Sequence, residues 1–132
     1  MLRVTYSHSN RIQEVPVDGS RDDYANLSDA VRQVLTSGSE EALPVQSAGQ
    51  TNISCLVVRQ GPPPNRVSCE RDCIVFRVAP NLQEQFLSQI RLPSDAHLLR
   101  LSIRRGYHHH FDHAGDERYI APDSLPVVFG LE

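Results

Sequence analysis

The stretch SRDDYANLSDAVRQVLTSG, residues 20–38, decides the fold, because it reads as one helix set between extended segments. Ser20 is a good N-cap, Asp22 and Asp23 suit the positive first turn, and Asp23 occupies the capping-box position. Tyr24, Leu27, Val31, Val34 and Leu35 then recur at helical spacing, and Ser37-Gly38 ends the run. Upstream, Leu2, Val4 and Tyr6 alternate with Arg3, Thr5 and Ser7, the period of a strand with one buried face. Residues 12–17 predict a second strand, joined to the first through Ser7-His8-Ser9-Asn10.

Downstream, residues 37–52 are rich in Ser, Gly, Gln and Glu and predict a loop with a short strand around Val45. Residues 53–59 predict an interior strand, which Gly61-Pro62-Pro63-Pro64-Asn65 must break. The extended pattern resumes over 67–78 and is strongest at Ile74, Phe76 and Val78. Asn81 as N-cap with Glu84 three residues on, and an apolar face of Leu82, Phe86, Leu87 and Ile90, predict a second helix that stops before Pro93. Leu99, Leu101 and Ile103 alternate with Arg100, Ser102 and Arg104 as a further strand, and residues 125–131 form the last. Strands, helix, strands, helix, strands predict an α+β two-layer sandwich: one mostly antiparallel sheet of about five to six strands with two helices on one face. A single domain over residues 1–132 follows from the length.

The 39% hydrophobic and 22% charged content is ordinary for a soluble globular chain, so composition excludes no common fold class. No apolar run reaches transmembrane length, and Met1-Leu2-Arg3-Val4-Thr5-Tyr6 lacks the core and cleavage site of a signal peptide. The expectation is a cytoplasmic protein with no membrane partner. A formal charge of -3 argues against a nucleic-acid partner held by phosphate neutralisation. All thirteen basic residues are arginine, a usage that GC-rich coding produces and that also favours planar, bidentate contacts at protein interfaces. Cys55, Cys69 and Cys73 read as reduced, mostly buried thiols. In one extended strand Cys69 and Cys73 would stand roughly 13 Å apart, too far for a disulfide or a shared metal; a turn at Glu70-Arg71-Asp72 would bring them closer.

The run HHHFDHAGD, residues 108–116, carries the densest chemistry. Alternation carried forward from Leu99 puts Tyr107, His109 and Phe111 on the core side, and His108, His110 and Asp112 on the opposite face with Arg100 and Arg104. Same-face strand neighbours are about 7 Å apart at Cα, and imidazole with carboxylate suits zinc or another first-row ion. His108, His110, Asp112 and His113 are therefore a candidate metal set, and a small mononuclear metal-binding protein or metal-dependent hydrolase is the alternative reading. The plainer reading is the exposed polar face of an edge strand with Asp112 as a turn residue. Exposed imidazoles, flat and with switchable donors and acceptors, also suit protein recognition.

The H-x-H-x-D-H pattern resembles the first metal-ligand loop of the metallo-β-lactamase superfamily. In that superfamily the motif comes early in a longer chain, and further His and Asp ligands follow well downstream. Here nineteen residues follow His113 and none is histidine, while His8 and His97 are isolated, so the dinuclear hydrolase site is not assembled. No nucleophile elbow, Walker loop or dinucleotide fingerprint appears, and Asp22-Asp23 and Glu40-Glu41 read as solvated charges. No catalytic residue is nominated.

A different resemblance rests on two segments. One is Gly106-Tyr107-His108-His109-His110-Phe111-Asp112 followed by Tyr119-Ile120-Ala121-Pro122-Asp123-Ser124-Leu125-Pro126-Val127-Val128. The other is the opening strand with Gly19-Ser20, Asp23-Tyr24 and the helix through Leu27 and Leu35. Together, over about a third of the chain, these resemble small bacterial immunity proteins encoded beside polymorphic toxins. The middle, residues 37–80, departs from that family's pattern in its length and its cysteines. The resemblance implies a compact α+β protein without a cofactor that binds and blocks a cognate toxin domain. The expected contact surface is Arg104, His108, His110 and Asp112 together with Asp116, Glu117 and Arg118.

Overall fold

The computed structural model describes residues 1–7, 14–90, 108–113 and 116–131. Helix α1 (Arg21–Ser37) starts and ends where its sequence dictates. Ser20 Oγ accepts from the Asp23 N–H at 3.2 Å and Asp23 Oδ2 accepts from the Ser20 N–H at 2.9 Å, the reciprocal capping box. Gly38, at φ +81°, turns the chain out of the helix while its N–H donates to Val34 O at 2.8 Å. Tyr24, Leu27, Ala30, Val31 and Val34 form the buried stripe, and each large apolar member contributes about 1.5–3 kcal/mol by leaving water.

Around this helix the strands are β1 (Arg3–Thr5), β2 (Val15–Gly19), β3 (Glu41–Pro44), β4 (Gln46–Ala48), β5 (Cys55–Gln60), β6 (Arg66–Glu70), β7 (Cys73–Val78), β8 (His108–Phe111) and β9 (Val127–Leu131). Helix α2 (Gln83–Gln89) lies between β7 and β8 in sequence. The fold is α+β, as the pattern predicts, but among the described residues the strands divide into two sheets rather than one. One has the order β4-β1-β2-β9-β8 and the other β3-β5-β7-β6. The chain crosses between them at Val45: β3 pairs antiparallel with β5, whereas β4, beginning one residue later, pairs parallel with β1. Where the sequence predicts a loop with one short strand around Val45, residues 37–52 hold two short strands, one on each side of Val45, at the edges of the two sheets among the described residues. Antiparallel pairing still prevails, but β1–β4, β2–β9 and β5–β7 are parallel. Side-chain alternation is the same in both ladders, so periodicity does not distinguish them.

Helix α1 packs against β2 of the first sheet and against β3 and β5 of the second, while α2 packs on α1 and β8. The helices therefore join two sheets instead of covering one face of a single sheet. One hydrophobic cluster runs through both, with Val4, Val17, Leu27, Leu56, Phe76 and Phe111 fully buried. Phe76, Phe86, Phe111 and Phe129 form an aromatic chain with ring centroids 5.5 to 6.4 Å apart.

Two further expectations change. Residues 67–78 are a hairpin, β6–β7, with Glu70 paired to Cys73 across Arg71-Asp72, the turn that relieves the Cys69–Cys73 separation. Asn81 does not cap α2. It lies inside a short 3₁₀ turn, Pro80–Leu82, closed by Leu82 N–H to Ala79 O at 2.9 Å, so the cap position passes to Leu82 without a side-chain bond. Pro80, with its fixed φ, starts that turn one residue ahead of Asn81. The strand expected over 99–104 and the link through His8, Ser9 and Asn10 lie outside the described residues. No helix among those described is long and apolar enough to cross a membrane.

Candidate functional site: strand β8 and the turn that follows

Among the described residues, strand β8 is an edge of the first sheet, bonded to β9. His108 stands opposite Gly130, His109 opposite Phe129, His110 opposite Val128 and Phe111 opposite Val127. Phe111 is fully buried, as the alternation requires, and its ring meets Phe86 at 5.5 Å and Phe129 at 6.4 Å. It anchors the histidine strand to the core. For His108, His109 and His110 the description extends to the backbone, and Arg104 lies outside the described residues.

Beyond Phe111 the chain folds into a compact turn. Asp116 N–H donates to Asp112 O at 3.2 Å, and Asp116 O accepts from the N–H groups of Tyr119 and Ile120 at 3.2 and 3.1 Å. Asp112 and Asp116 are half-buried, whereas Glu117 and Arg118 are exposed. Arg118, 75% exposed, has Nε 3.6 Å from Asp116 Oδ1 and its guanidinium 4.9 Å above the Tyr119 ring. His113 Nδ1 lies 2.7 Å from Ile120 O. A carbonyl oxygen only accepts, so Nδ1 carries a proton, and in the neutral ring the lone pair then lies on Nε2. Among the described residues, no three His, Cys, Asp or Glu side chains converge as a metal-holding group.

The segment after the turn is a strap. Asn65 N–H donates to Tyr119 O at 2.9 Å, Asn65 O accepts from Ala121 N–H at 2.9 Å, and Ile120 bridges Asn65 in parallel. Ser124 Oγ accepts from Val67 N–H at 2.8 Å, Leu125 N–H donates to Val67 O at 2.8 Å, and Arg66 Nε donates to Asp123 Oδ1 at 2.9 Å. Ile120 and Ala121 are buried. The run Tyr119–Leu125 thus stitches the second sheet at β6 to the chain entering β9, with Ile120, Ala121 and Leu125 packed on the core. The chain matches no protein-family model, no curated protein and no solved structure.

Sequence reasoning missed a second polar surface, on the outer face of the four-stranded sheet. Register pairs Arg59 with Arg77 and Arg77 with Arg66, a row of three arginines across β5, β7 and β6. Arg59 Nε meets Glu40 Oε2 at 2.7 Å and its Nη1 meets Glu70 Oε2 at 3.3 Å. Arg77 donates to Ser68 Oγ and to Glu70 Oε1, both at 2.7 Å. Ser68 is registered opposite Val75, so the Arg77 stem reaches back across that valine, which is 1% exposed. Glu40, Glu70 and Asp123 balance the three charges, giving a charge-neutral face. The pairing is invisible without strand register, because these arginines are scattered in sequence. A separate groove of about 720 Å³ lies between α1 and α2, lined in part by Arg21, Arg32 and Glu84. Its described lining holds none of the residues nominated from sequence.

Proposed function

We propose that this chain is a non-catalytic immunity protein that binds a cognate toxin domain and blocks it. The observation that carries this reading is the exposure of Glu117 and Arg118 on a turn whose backbone is hydrogen-bonded at Asp112, Asp116 and Ile120. Opposite charges standing out from an already ordered backbone lose little conformational entropy on docking, and they select a partner by charge complementarity. His108, His110, Asp112 and Arg104 extend this surface in the proposal, and Asp116 positions Arg118. The protein acts in the cytoplasm of a toxin-bearing bacterium, and the formal charge of -3 suits a basic partner. The test is co-purification with the toxin domain encoded by the adjacent reading frame. A stable complex is expected, and reversing Glu117→Arg together with Arg118→Glu lowers affinity by about tenfold or more, roughly 1.4 kcal/mol. A wild-type chain that neither binds nor protects against that domain overturns the proposal.

One observation favours a second reading. The Nδ1–H···O bond from His113 to Ile120 is the arrangement that orients a metal-ligating imidazole, leaving Nε2 free to coordinate. In that reading His113 joins Asp112, His108 and His110 around one zinc ion. Untagged protein should then carry stoichiometric metal, lost in the His108→Ala, His110→Ala double variant; metal-free wild-type protein that retains its binding excludes it.

A further inference from the structure

Strands β5 and β7 are parallel neighbours at the centre of the second sheet, and their first residues, Cys55 and Cys73, are register partners. Adjacent strands lie about 4.8 Å apart, inside the Cα–Cα range that a disulfide spans. The two sulfurs are 2.7 Å apart, within an ångström of the bonded distance of about 2.0 Å. Both side chains are half-buried, so a small reagent reaches them. The ends of the strands are already clamped: Ser54 N–H donates to Asp72 O at 2.8 Å, and Ser54 Oγ donates to Asp72 Oδ2 at 2.7 Å. The third cysteine, Cys69, stands opposite Ile74, one residue pair along the hairpin, and its thiol faces Arg71 O at 3.6 Å.

We propose that Cys55 and Cys73 form a redox dithiol that a small-molecule disulfide oxidises to a cross-strand bond between β5 and β7. In the first step one protein thiolate attacks a sulfur of the reagent RS–SR, forming a mixed disulfide and expelling RS⁻. In the second, the neighbouring protein sulfur loses its proton and attacks the protein-bound sulfur of that mixed disulfide, expelling the second RS⁻. Two electrons pass from the protein sulfurs to the reagent, and the two thiol protons end on two RSH molecules. Backbone movement is small because the Cα atoms are already fixed by the ladder. The hydrogen bond with Cys55, and then burial, push the Cys73 thiol up to about 11, so near neutral pH it stays protonated.

The test is to incubate the full chain with glutathione disulfide at mildly alkaline pH and count thiols in denaturant. The expected result is loss of two of the three titratable thiols with no added glutathione mass, and a Cys55–Cys73 cross-link in a non-reduced peptide map. Cys69→Ser should keep the cross-link, while Cys55→Ser and Cys73→Ser should each end as a stable glutathione adduct. A map showing only glutathione adducts, only bonds to Cys69, or only intermolecular dimers in the wild-type chain overturns the proposal.

Discussion

The Tyr24 hydroxyl lies 2.6 Å from the carbonyl oxygen of Gly130, 106 residues away in sequence, and 2.8 Å from that of Val17. Those carbonyls belong to β9 and β2, neighbouring parallel strands, so one side chain of α1 fastens the helix across the strand pair that brings the end of the chain beside its start. The Tyr24 ring meets Phe129 edge-on at 6.2 Å, and a side chain at Gly130 would collide with Asp18. Tyr24→Phe keeps the ring and removes the buried hydroxyl. The expected loss is about 1–2 kcal/mol, read as a lower urea midpoint with unchanged slope.

That relationship marks how far the sequence was legible. Tyr24 is identifiable as a core residue from its spacing with Leu27 and Val31, and the capping box and Gly38 are readable because they are local. Its partner Gly130 is not, since parallel pairing of β2 with β9 leaves no trace in alternation. The same limit hid the second sheet: the strands over 53–59 and 67–78 are readable, but alternation does not say that they pair with each other and with β3 rather than with β1 and β2. In the candidate site, the burial of Phe111 was readable from alternation. The roles of Tyr119–Leu125 were not. A stretch that reads as a recognition signature is largely a strap onto Asn65 and Val67, which are more than fifty residues upstream.

Asn65 is the only buried polar residue in the described core, at 1% exposure. Its Oδ1 accepts from Ala79 N–H at 2.8 Å, its Nδ2 faces Leu82 O at 3.4 Å, and its backbone holds Tyr119 and Ala121. Asn65→Ala leaves the Ala79 N–H without its acceptor in a site closed to water. About 1–3 kcal/mol should be lost in a denaturation experiment. Amide exchange should also quicken at Ala79 and along 119–121, because the strap and the 3₁₀ turn share this one anchor.

Arg71 sits in the β6–β7 turn at φ +57°, a conformation in which a side chain is strained. Arg71→Gly removes the Cβ clash but makes the unfolded chain more flexible, so the net gain is smaller than the strain relieved. A stabilisation of up to about 1 kcal/mol is expected by thermal melting. A destabilised Arg71→Gly protein would mean that the arginine side chain contributes more than its backbone costs.

Asp23 makes stability depend on acid in a definite direction. Its carboxylate is 2.7 Å from the Met1 ammonium and accepts the Ser20 N–H at 2.9 Å; the ammonium first, then the Ser20 backbone, hold its pKa below the ordinary aspartate value. A group whose folded pKa is depressed contributes stability that is present above the unfolded value, about 3.9, and is lost as pH falls through the folded value. Between about pH 4 and neutrality wild-type protein should therefore exceed Asp23→Asn by a steady margin, and the two curves should converge below that range. Ser20→Ala removes the other half of the box at a cost of about 0.5–2 kcal/mol that persists at neutral pH. A margin between wild type and Asp23→Asn that stayed flat down to pH 2 would place the contribution of Asp23 in its shape and packing, and remove its charge from the account of how α1 begins.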